Sequence, residues 1–404
     1  MPKALFTFFI MLTAMLSSAC SATGPLYTPS PTQLTAGPAD DFTAYLAETR
    51  RYLENNLVPV EGFPREDQVE WNMPFRMVPP ESCTDGPTRG ILLVHGLSDS
   101  PFVFRDFARA LAKDCVEVRT VLLQGHGTRP GDMINARADV WREQVRTHFD
   151  TLADGVDVPL IGGFSLGGAL ATEMALSDQQ PRPAGLVAIA PAWQLNGLEN
   201  YLWLASTANL FLDFVEEEPE LNPVKYESLT INAAVQLSDV LDSLQHRFSE
   251  QAPSDLPLFL VATEADSVIN LPYLLDSFHT RFGHPDNRMI VFRDQRRDWH
   301  YKPDPKITLL DSYRPDQNIL EFSHQSLPAS PDNLLYGVGN PLQRCLEPNQ
   351  LSLEECRALP SGKLWYSAYS DEPQPVPTSR LTYNPEFDRV ARELSDFIRT
   401  RDIP

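Results

Sequence analysis

The segment Gly163-Phe164-Ser165-Leu166-Gly167 lies between a short apolar run at 159–162 and a run of small and apolar residues that begins at Leu166. A serine between two glycines at such a junction is typical of a strained turn from a strand into a helix. Side chains at positions 163 and 167 would collide with neighbouring backbone, so glycine is favoured at both. The N-terminus of the following helix would lie beneath Ser165 and stabilise negative charge there. The sequence therefore predicts a strand–turn–helix unit that presents Ser165.

Strand-like and helix-like segments alternate along most of the chain. Short apolar runs predict buried strands, and apolar residues at helical spacing predict helices. This alternation indicates an α/β fold in which helices cover both faces of a mostly parallel sheet. The predicted strands are 90–95, 116–123, 159–162, 185–190, 256–262, 289–292 and 319–322, and the predicted helices are 104–111, 141–152, a segment from 166, 271–282 and 387–398.

Two segments interrupt the alternation and predict insertions into an α/β domain that spans 41–404. Residues 193–254 have a largely helical pattern with no strand signal, and we expect them to form a cap. Residues 325–380 are rich in proline, contain two cysteines and predict a loop at the rim. The cap segment concentrates large apolar residues, namely Trp193, Leu198, Tyr201, Trp203, Leu210, Phe211 and Phe214.

Composition and charge exclude several classes of protein. The chain has 404 residues, of which 42% are hydrophobic, and this is enough for a large core. Its formal net charge is −21. A protein that binds nucleic acid through the phosphates would need a basic patch. We therefore expect no nucleic-acid partner, and no pattern in the chain indicates a cofactor.

Residues 1–19 predict an export signal. Lys3 supplies a positive charge, and the apolar run at 4–16 is too short to span a bilayer. Ser17, Ser18 and Ala19 precede Cys20, which resembles the bacterial lipoprotein signal. The resemblance implies a cysteine acylated with palmitate and a lipid-anchored protein of the bacterial cell envelope, at the outer membrane. A plain signal peptide with an incidental cysteine is the alternative. Residues 20–40 are rich in Pro, Ser and Thr and predict a tether.

Four cysteines follow Cys20. An even number in an exported chain indicates two disulfides, for which three pairings exist. Proximity in the sequence favours Cys83–Cys115 and Cys345–Cys356. Free buried thiols are the alternative. Neither pair has the spacing of a zinc site, so we expect no metal.

An acyl-transfer site needs preorganised hydrogen-bond donors for the tetrahedral oxyanion. The amide of Leu166, directly after the serine, is the first candidate. The second is the amide of Leu97, because Gly96 lets the backbone approach the site at the end of the strand 90–95. We interpret His95 as a structural residue that braces this loop rather than as a catalytic base.

The acid and the base of a catalytic triad should follow the serine in that order. Asp266 comes after the strand 256–262 and is our candidate acid, with Glu264 as its rival. His324 follows the predicted strand 319–322 and is our candidate base, with His300 in a polar loop as the alternative. We expect the remaining histidines to be ordinary loop or helix-surface residues.

The segments ILLVHGLSDSP, LLQGHGTRPGDM, IGGFSLGGALA, ATEADSVI and FSHQSLPASPDNLLYG occur in this order. They resemble an α/β-hydrolase of the capped branch that includes monoacylglycerol lipases and serine aminopeptidases. The likeness covers roughly residues 88–400. Within it, the cap segment 193–254 resembles the family only in its largely helical and apolar character. The likeness implies Ser165, Asp266 and His324 as the triad and the amides of Leu97 and Leu166 as the oxyanion donors.

Three functions are compatible with these features. The first is a lipid-anchored serine hydrolase that cleaves a carboxylic or lipid ester through an acyl-enzyme. The second keeps the triad but cleaves an amide, as an aminopeptidase, and the acidic residues 216–218 of the cap are candidates for binding a substrate amine. The third is a non-catalytic surface lipoprotein. No triad residue is missing, which favours an enzyme.

Overall fold

The computed structural model describes residues 24–35, 41–197, 209, 212–370 and 373–403. The predicted signal at 1–19 and its Cys20 lie outside these ranges. So do Leu198, Tyr201, Trp203, Leu210 and Phe211, which are five of the large apolar residues of the predicted cap. Within the described ranges, no helix combines the length and the apolar character that crossing a bilayer requires.

The main sheet has eight strands in the order β1-β3-β2-β4-β5-β8-β9-β10. Strand β1 pairs antiparallel with β3, and every other pair in the sheet is parallel. This is the α/β architecture that the sequence predicts. The strands are β1 (Arg76–Met77), β2 (Arg89–Val94), β3 (Val116–Val121), β4 (Val158–Phe164), β5 (Leu186–Ile189), β8 (Leu258–Thr263), β9 (Arg288–Arg293) and β10 (Ile307–Asp311).

Some of the helices begin at a residue whose side chain caps them. Asp41, Thr230 and Asn270 each accept a hydrogen bond from a backbone N–H of the first turn of the helix that follows. The helices are α1 (Phe42–Asn56), α2 (Arg65–Asn72), α3 (Arg105–Lys113), α4 (Ala138–Ala153), α5 (Leu166–Ala175), α6 (Ile231–Glu250), α7 (Leu271–Thr280), α8 (Leu353–Ala358) and α9 (Phe387–Arg399).

The core lies on both faces of the sheet. Strands β4, β5 and β8 are buried at every residue, because helices cover them from both sides. Helix α9 buries one apolar stripe, and its Phe387 ring lies 4.7 Å from the ring of Phe107 on α3. The continuous apolar runs of the sequence therefore correspond to the centre of the sheet.

The prediction of a strand at 319–322 is wrong. The last strand of the sheet is β10, and most of its residues are only half-buried because it lies at the edge. Phe322 is apolar for another reason, since its ring packs 4.7 Å from the ring of Phe292 on β9. Ile319 is also fully buried but forms only isolated bridges to Arg314 and Tyr366. The run 307–310 is as apolar as the run 319–322, so apolar content alone does not distinguish the strand from the loop.

Both insertions contain strands that the sequence pattern does not indicate. In the 193–254 insertion, β6 (Phe214–Glu216) pairs antiparallel with β7 (Leu229–Thr230) ahead of helix α6. Our expectation of an insertion with no strand is therefore wrong. The 325–380 insertion holds a separate three-stranded sheet in the order β11-β13-β12, formed by β11 (Pro348–Asn349), β12 (Trp365–Ser367) and β13 (Thr378–Arg380). Strands of two or three residues are too short to show a period in the sequence.

Two disulfides pair the four cysteines as neighbours in the sequence, Cys83–Cys115 and Cys345–Cys356. The first joins the segment before β2 to the residue that precedes β3. The second is buried and packs with Leu364 inside the 325–380 insertion. Each disulfide thus fixes a segment that has few other core contacts.

The tether predicted for 20–40 is not a free linker over 24–35. The amide of Gly131 donates a hydrogen bond to Leu26 O at 2.8 Å. The amide and the hydroxyl of Ser30 both lie 2.6 Å from Asp132 Oδ1. Leu34 is buried against α1 and α2. Proline and threonine are abundant here, and the segment is held by hydrogen bonds and by the burial of Leu34.

Candidate active site

Ser165 occupies the turn between β4 and α5. Its backbone has φ 53° and ψ −118°, a conformation that costs free energy for a residue with a side chain. The turn is tight because a Cβ on Gly163 would overlap the backbone of Gly167, and a Cβ on Gly167 would overlap the carbonyl of Val94. The two glycines therefore allow the strand, the helix and the neighbouring β2 to approach closely. The serine is held at the carboxyl end of the sheet.

Asp266 and His324 meet although 58 residues separate them. The distance from His324 Nδ1 to Asp266 Oδ2 is 2.7 Å. The other carboxylate oxygen of Asp266 accepts hydrogen bonds from the amides of Val268 and Ile269 at 2.8 and 2.9 Å. Because the carboxylate accepts, Nδ1 carries the proton and Nε2 has a free lone pair. The side chain of His324 is 14% exposed, which leaves the imidazole open to the site.

The imidazole of His324 lies next to the strand that carries the serine. Its ring packs against Phe164, directly before Ser165, with 4.8 Å between the ring centroids. The two rival residues are elsewhere. Glu264 faces Arg293, with 3.7 Å between the charged atoms, and His300 is exposed in the loop between β9 and β10. The geometry therefore pairs Asp266 with His324. Neither rival, Glu264 or His300, takes part in this pair.

The loop after β2 lies against the serine. A Cβ on Gly96 would stand 3.3 Å from Ser165 Cβ, so only glycine fits there without displacement. Leu97 follows and is half-buried, and Ser98 has a φ of 60°, which turns the chain sharply. The amides of Leu97 and Leu166 are consequently carried by the two segments that flank Ser165.

His95 braces this loop from inside. Its Nε2 accepts a hydrogen bond from the amide of Leu123 at 3.1 Å, so the proton is on Nδ1, which donates to Gly96 O at 2.8 Å. Burial, with the nearby His126 as a second cause, lowers the pKa of His95 well below its usual value. The ring is therefore neutral and structural.

Two further histidines are not the surface residues that we expected. His126 and His148 are both buried. His126 Nδ1 donates to Leu123 O and Gln124 O at 3.3 and 3.1 Å, and burial lowers its pKa to about 4. The ring of His148 lies 4.0 Å from that of Tyr45. Both are surrounded by residues distant in sequence, so no local pattern signals their burial.

Asn196 supports the acid and has no signal in the sequence. Its amide nitrogen donates to the carbonyl oxygens of Asp266 and Ile269 at 2.8 and 2.9 Å. It thereby closes the turn that presents the carboxylate. Among the residues that the structure describes, no group of three or more His, Cys, Asp or Glu side chains is arranged to hold a metal ion.

Two solved structures to which the chain has some similarity are those of lipolytic enzymes. The chain is similar to a structure of the metagenome-derived lipolytic enzymes LipS and LipT, with 22% identity, a TM-score of 0.45, and coverage of 55% of this chain and 86% of that one. It is similar to the monoacylglycerol lipase of Paleococcus ferrophilus, with 18% identity, a TM-score of 0.44, and coverage of 55% and 88%.

Sequence comparisons identify the family. A thermostable monoacylglycerol lipase from Bacillus sp. (strain H-257) is 24% identical over 193 residues, which are 47% of this chain and 75% of that protein. The model of the Alpha/beta hydrolase family matches residues 91–338, which include most of β2, the serine turn, Asp266 and His324. The match spans more than half of the chain, and the chain therefore belongs to the alpha/beta hydrolase family.

Proposed function

We propose that this protein is a serine hydrolase that cleaves carboxylic esters with Ser165, His324 and Asp266 as its triad. The observation that carries the proposal is the 2.7 Å hydrogen bond between His324 and Asp266 at the end of the sheet that also presents Ser165 on its strained turn. A strained turn at a half-buried serine and an oriented imidazole are features of nucleophilic catalysis.

In the proposed mechanism, Ser165 Oγ attacks the ester carbonyl while His324 Nε2 takes its proton. Asp266 holds the imidazole in the correct tautomer and stabilises the imidazolium. The amides of Leu97 and Leu166 bind the oxyanion. When the intermediate collapses, His324 gives the proton to the leaving alcohol and an acyl-enzyme remains. Water, deprotonated by His324, then releases the carboxylic acid and restores Ser165.

We propose a lipid-like ester, such as a monoacylglycerol, as the substrate. The similarity to a monoacylglycerol lipase supports this choice. The apolar residues of the 193–254 insertion also support it, because an apolar pocket gains about 0.8 kcal/mol for each acyl CH₂ that it buries. We expect kcat/KM to rise several-fold with each added pair of carbons from p-nitrophenyl acetate to octanoate, until the pocket is full.

The triad is tested with a fluorophosphonate probe and an ester assay on a chain that begins at Ser21. Wild type should be labelled, S165A should not, and H324A should lose at least about 10³-fold in kcat. H300A is the matched control and should retain most of the activity. A wild-type protein that does not react with the fluorophosphonate would contradict the proposal that it is a serine hydrolase. Rates that are flat with acyl length, or faster turnover of aminoacyl-nitroanilides, would favour the peptidase alternative.

We also propose that Cys20 is acylated and anchors the enzyme to the outer membrane of a bacterial cell envelope. The support is the order of residues around the cysteine, with a charged start, an apolar run and small residues before it. The full-length protein should incorporate labelled palmitate and sediment with membranes, whereas C20A should do neither. Equal labelling of C20A would contradict the anchor.

A further inference from the structure

Residues 220–228, within the 193–254 insertion, lie between β6 and β7, and we refer to them as the 220–228 segment. Hydrogen bonds within the segment join its two ends. The carboxylate of Glu220 accepts them from the amides of Glu227 and Ser228, both at 2.9 Å. It is also joined to helix α2, because Asn72 donates to Pro223 O at 2.8 Å. The segment is thus an ordered part of the domain.

One side of the segment contacts the loop that carries the proposed base. Lys225 Nζ donates a hydrogen bond to Gln325 Oε1 at 2.7 Å, and Gln325 is the residue directly after His324. Gln325 is buried, so this bond is protected from competing water. Asn222 adds a second connection further along the same loop, through its 2.9 Å hydrogen bond to the hydroxyl of Tyr336.

The other side contacts the loop of the proposed oxyanion donor. The amide of Tyr226 donates to Ser98 O at 2.8 Å, and Ser98 directly follows Leu97. The hydroxyl of Tyr226 accepts from the amide of Thr128 at 2.8 Å and donates to Gly125 O at 3.2 Å. Adjacent residues of one segment therefore bind the loops on both sides of the proposed reaction centre.

The charges around Lys225 favour one position of its ammonium group. Asp99 and Glu227 attract it, whereas Arg380 repels it, and burial lowers its pKa to about 8. The ammonium is therefore mostly charged at neutral pH. Asp99 belongs to the same loop as Leu97, so this attraction acts between the 220–228 segment and that loop. Burial raises the pKa of Asp99 to about 7, so its carboxyl group is only partly charged at neutral pH.

We propose that Lys225 is a positioning residue, which holds the His324 loop at a fixed distance from the Leu97 loop through its hydrogen bond to Gln325. The inference rests on the proposed function, because both loops matter only if they carry the base and an oxyanion donor. It gives the insertion a role in the chemical step in addition to any contact with the acyl chain. A displacement of about 1 Å between catalytic groups can cost about 100-fold in rate.

The test compares kcat and KM of K225M, Q325L and the double variant with the wild type, on p-nitrophenyl butyrate. Rates are divided by the concentration of sites that react with the fluorophosphonate, so that unfolded protein is not counted. K225M and Q325L should each lower kcat by about 10- to 100-fold and change KM less than about twofold. The double variant should be no slower than the slower single variant, because both remove the same hydrogen bond.

Two further variants keep the experiment decisive if K225M folds poorly. Q325E retains an acceptor for Lys225 and should keep kcat near that of the wild type, in contrast to Q325L. K302M changes an exposed lysine in the loop between β9 and β10 and is the matched control. If kcat per labelled site is unchanged in both K225M and Q325L, the positioning role is contradicted. If the wild type is neither labelled nor active, the proposed function itself fails.

Discussion

At the scale of single residues, space at the serine turn is the strictest constraint. A methyl group on Gly167 would overlap the carbonyl of Val94 on β2, and backbone cannot rotate away as a side chain can. Position 163 is equally confined. The turn therefore depends on close contact between β2, β4 and α5 rather than on the intrinsic flexibility of glycine.

We expect G167A to lower the free energy of unfolding by more than about 3 kcal/mol, because the helix must move away from β2 to admit the methyl group. G362A is the matched control, since nothing lies within 4 Å of the added methyl group, and it should change stability by less than about 0.5 kcal/mol. Urea unfolding of both variants measures the difference. A mild effect of G167A would mean that the turn relaxes easily.

His126 makes stability depend on pH. Its folded-state pKa is lowered to about 4, whereas in the unfolded chain it should be near 6.5. The unfolded state binds more protons between these values, so stability present above pH 6.5 is lost as the pH falls towards 4. The shift corresponds to a loss of up to about 3 kcal/mol, to which His95 adds in the same direction.

We expect H126N to reduce the loss of stability between pH 7 and pH 4.5 by about 2–3 kcal/mol relative to the wild type, because asparagine can donate to the same carbonyls without titrating. Urea unfolding at the two pH values gives this difference. H300N, at an exposed position, should behave like the wild type. Equal losses in H126N and the wild type would assign the acid sensitivity to other groups.

At the scale of elements, the two disulfides differ in what they constrain. Cys83–Cys115 closes a loop between residues that are 32 positions apart, and it connects the segment before β2 with the residue before β3. Cys345–Cys356 closes a loop of only 11 residues within the 325–380 insertion and packs with Leu364 beside the small sheet. A longer closed loop restricts the unfolded chain more strongly.

We expect C83S/C115S to cost about 1 kcal/mol more in the global free energy of unfolding than C345S/C356S, from the difference in loop length. Denaturant titrations of the two double variants test this order. Limited proteolysis of C345S/C356S should show cleavage confined to 325–380, because the serines loosen the small core around Leu364. A larger global cost of C345S/C356S would mean that this insertion unfolds together with the main sheet.

At the scale of the whole molecule, residues 24–35 join distant parts of the fold. Ser30 binds Asp132 after β3, Leu34 packs with α1 and α2, and the ring of Tyr27 lies 5.4 Å from that of Phe214 on β6. The segment therefore connects the main domain to the 193–254 insertion. A chain that begins at residue 41 would lack all of these contacts.

We expect a chain that begins at residue 41 to be less stable than one that begins at residue 24 by at least about 2 kcal/mol, which is the cost of losing a buried leucine alone. In the longer chain, L34A should reproduce much of the loss. L334A is the matched control, because Leu334 is 50% exposed, and it should be nearly neutral. Thermal or urea unfolding compares the four proteins. Equal stability of the two chain lengths would show that the segment binds weakly.

Features that depend on neighbouring residues can be predicted from the amino-acid sequence. Continuous apolar runs predict the central strands, since a strand covered on both faces has apolar residues throughout. The two glycines around Ser165 predict the turn, because steric exclusion acts over a few residues. Asp266 could be selected because it follows β8 at the carboxyl edge of the parallel sheet. For His324 the strand predicted before it is absent, so only the order of the family-like segments supported that choice.

Tertiary structure alone decided the features that depend on exposure and on distant partners. Strand β10 and the run 319–322 are similarly apolar in the sequence, but only the first pairs in the sheet, whereas Phe322 packs against Phe292 without being in a strand. Ser30 finds its partner 102 residues away. Lys225 likewise bonds to a residue 100 positions further along the chain. A hydrogen bond needs only one donor and one acceptor, and no periodic pattern marks either residue before the chain has folded.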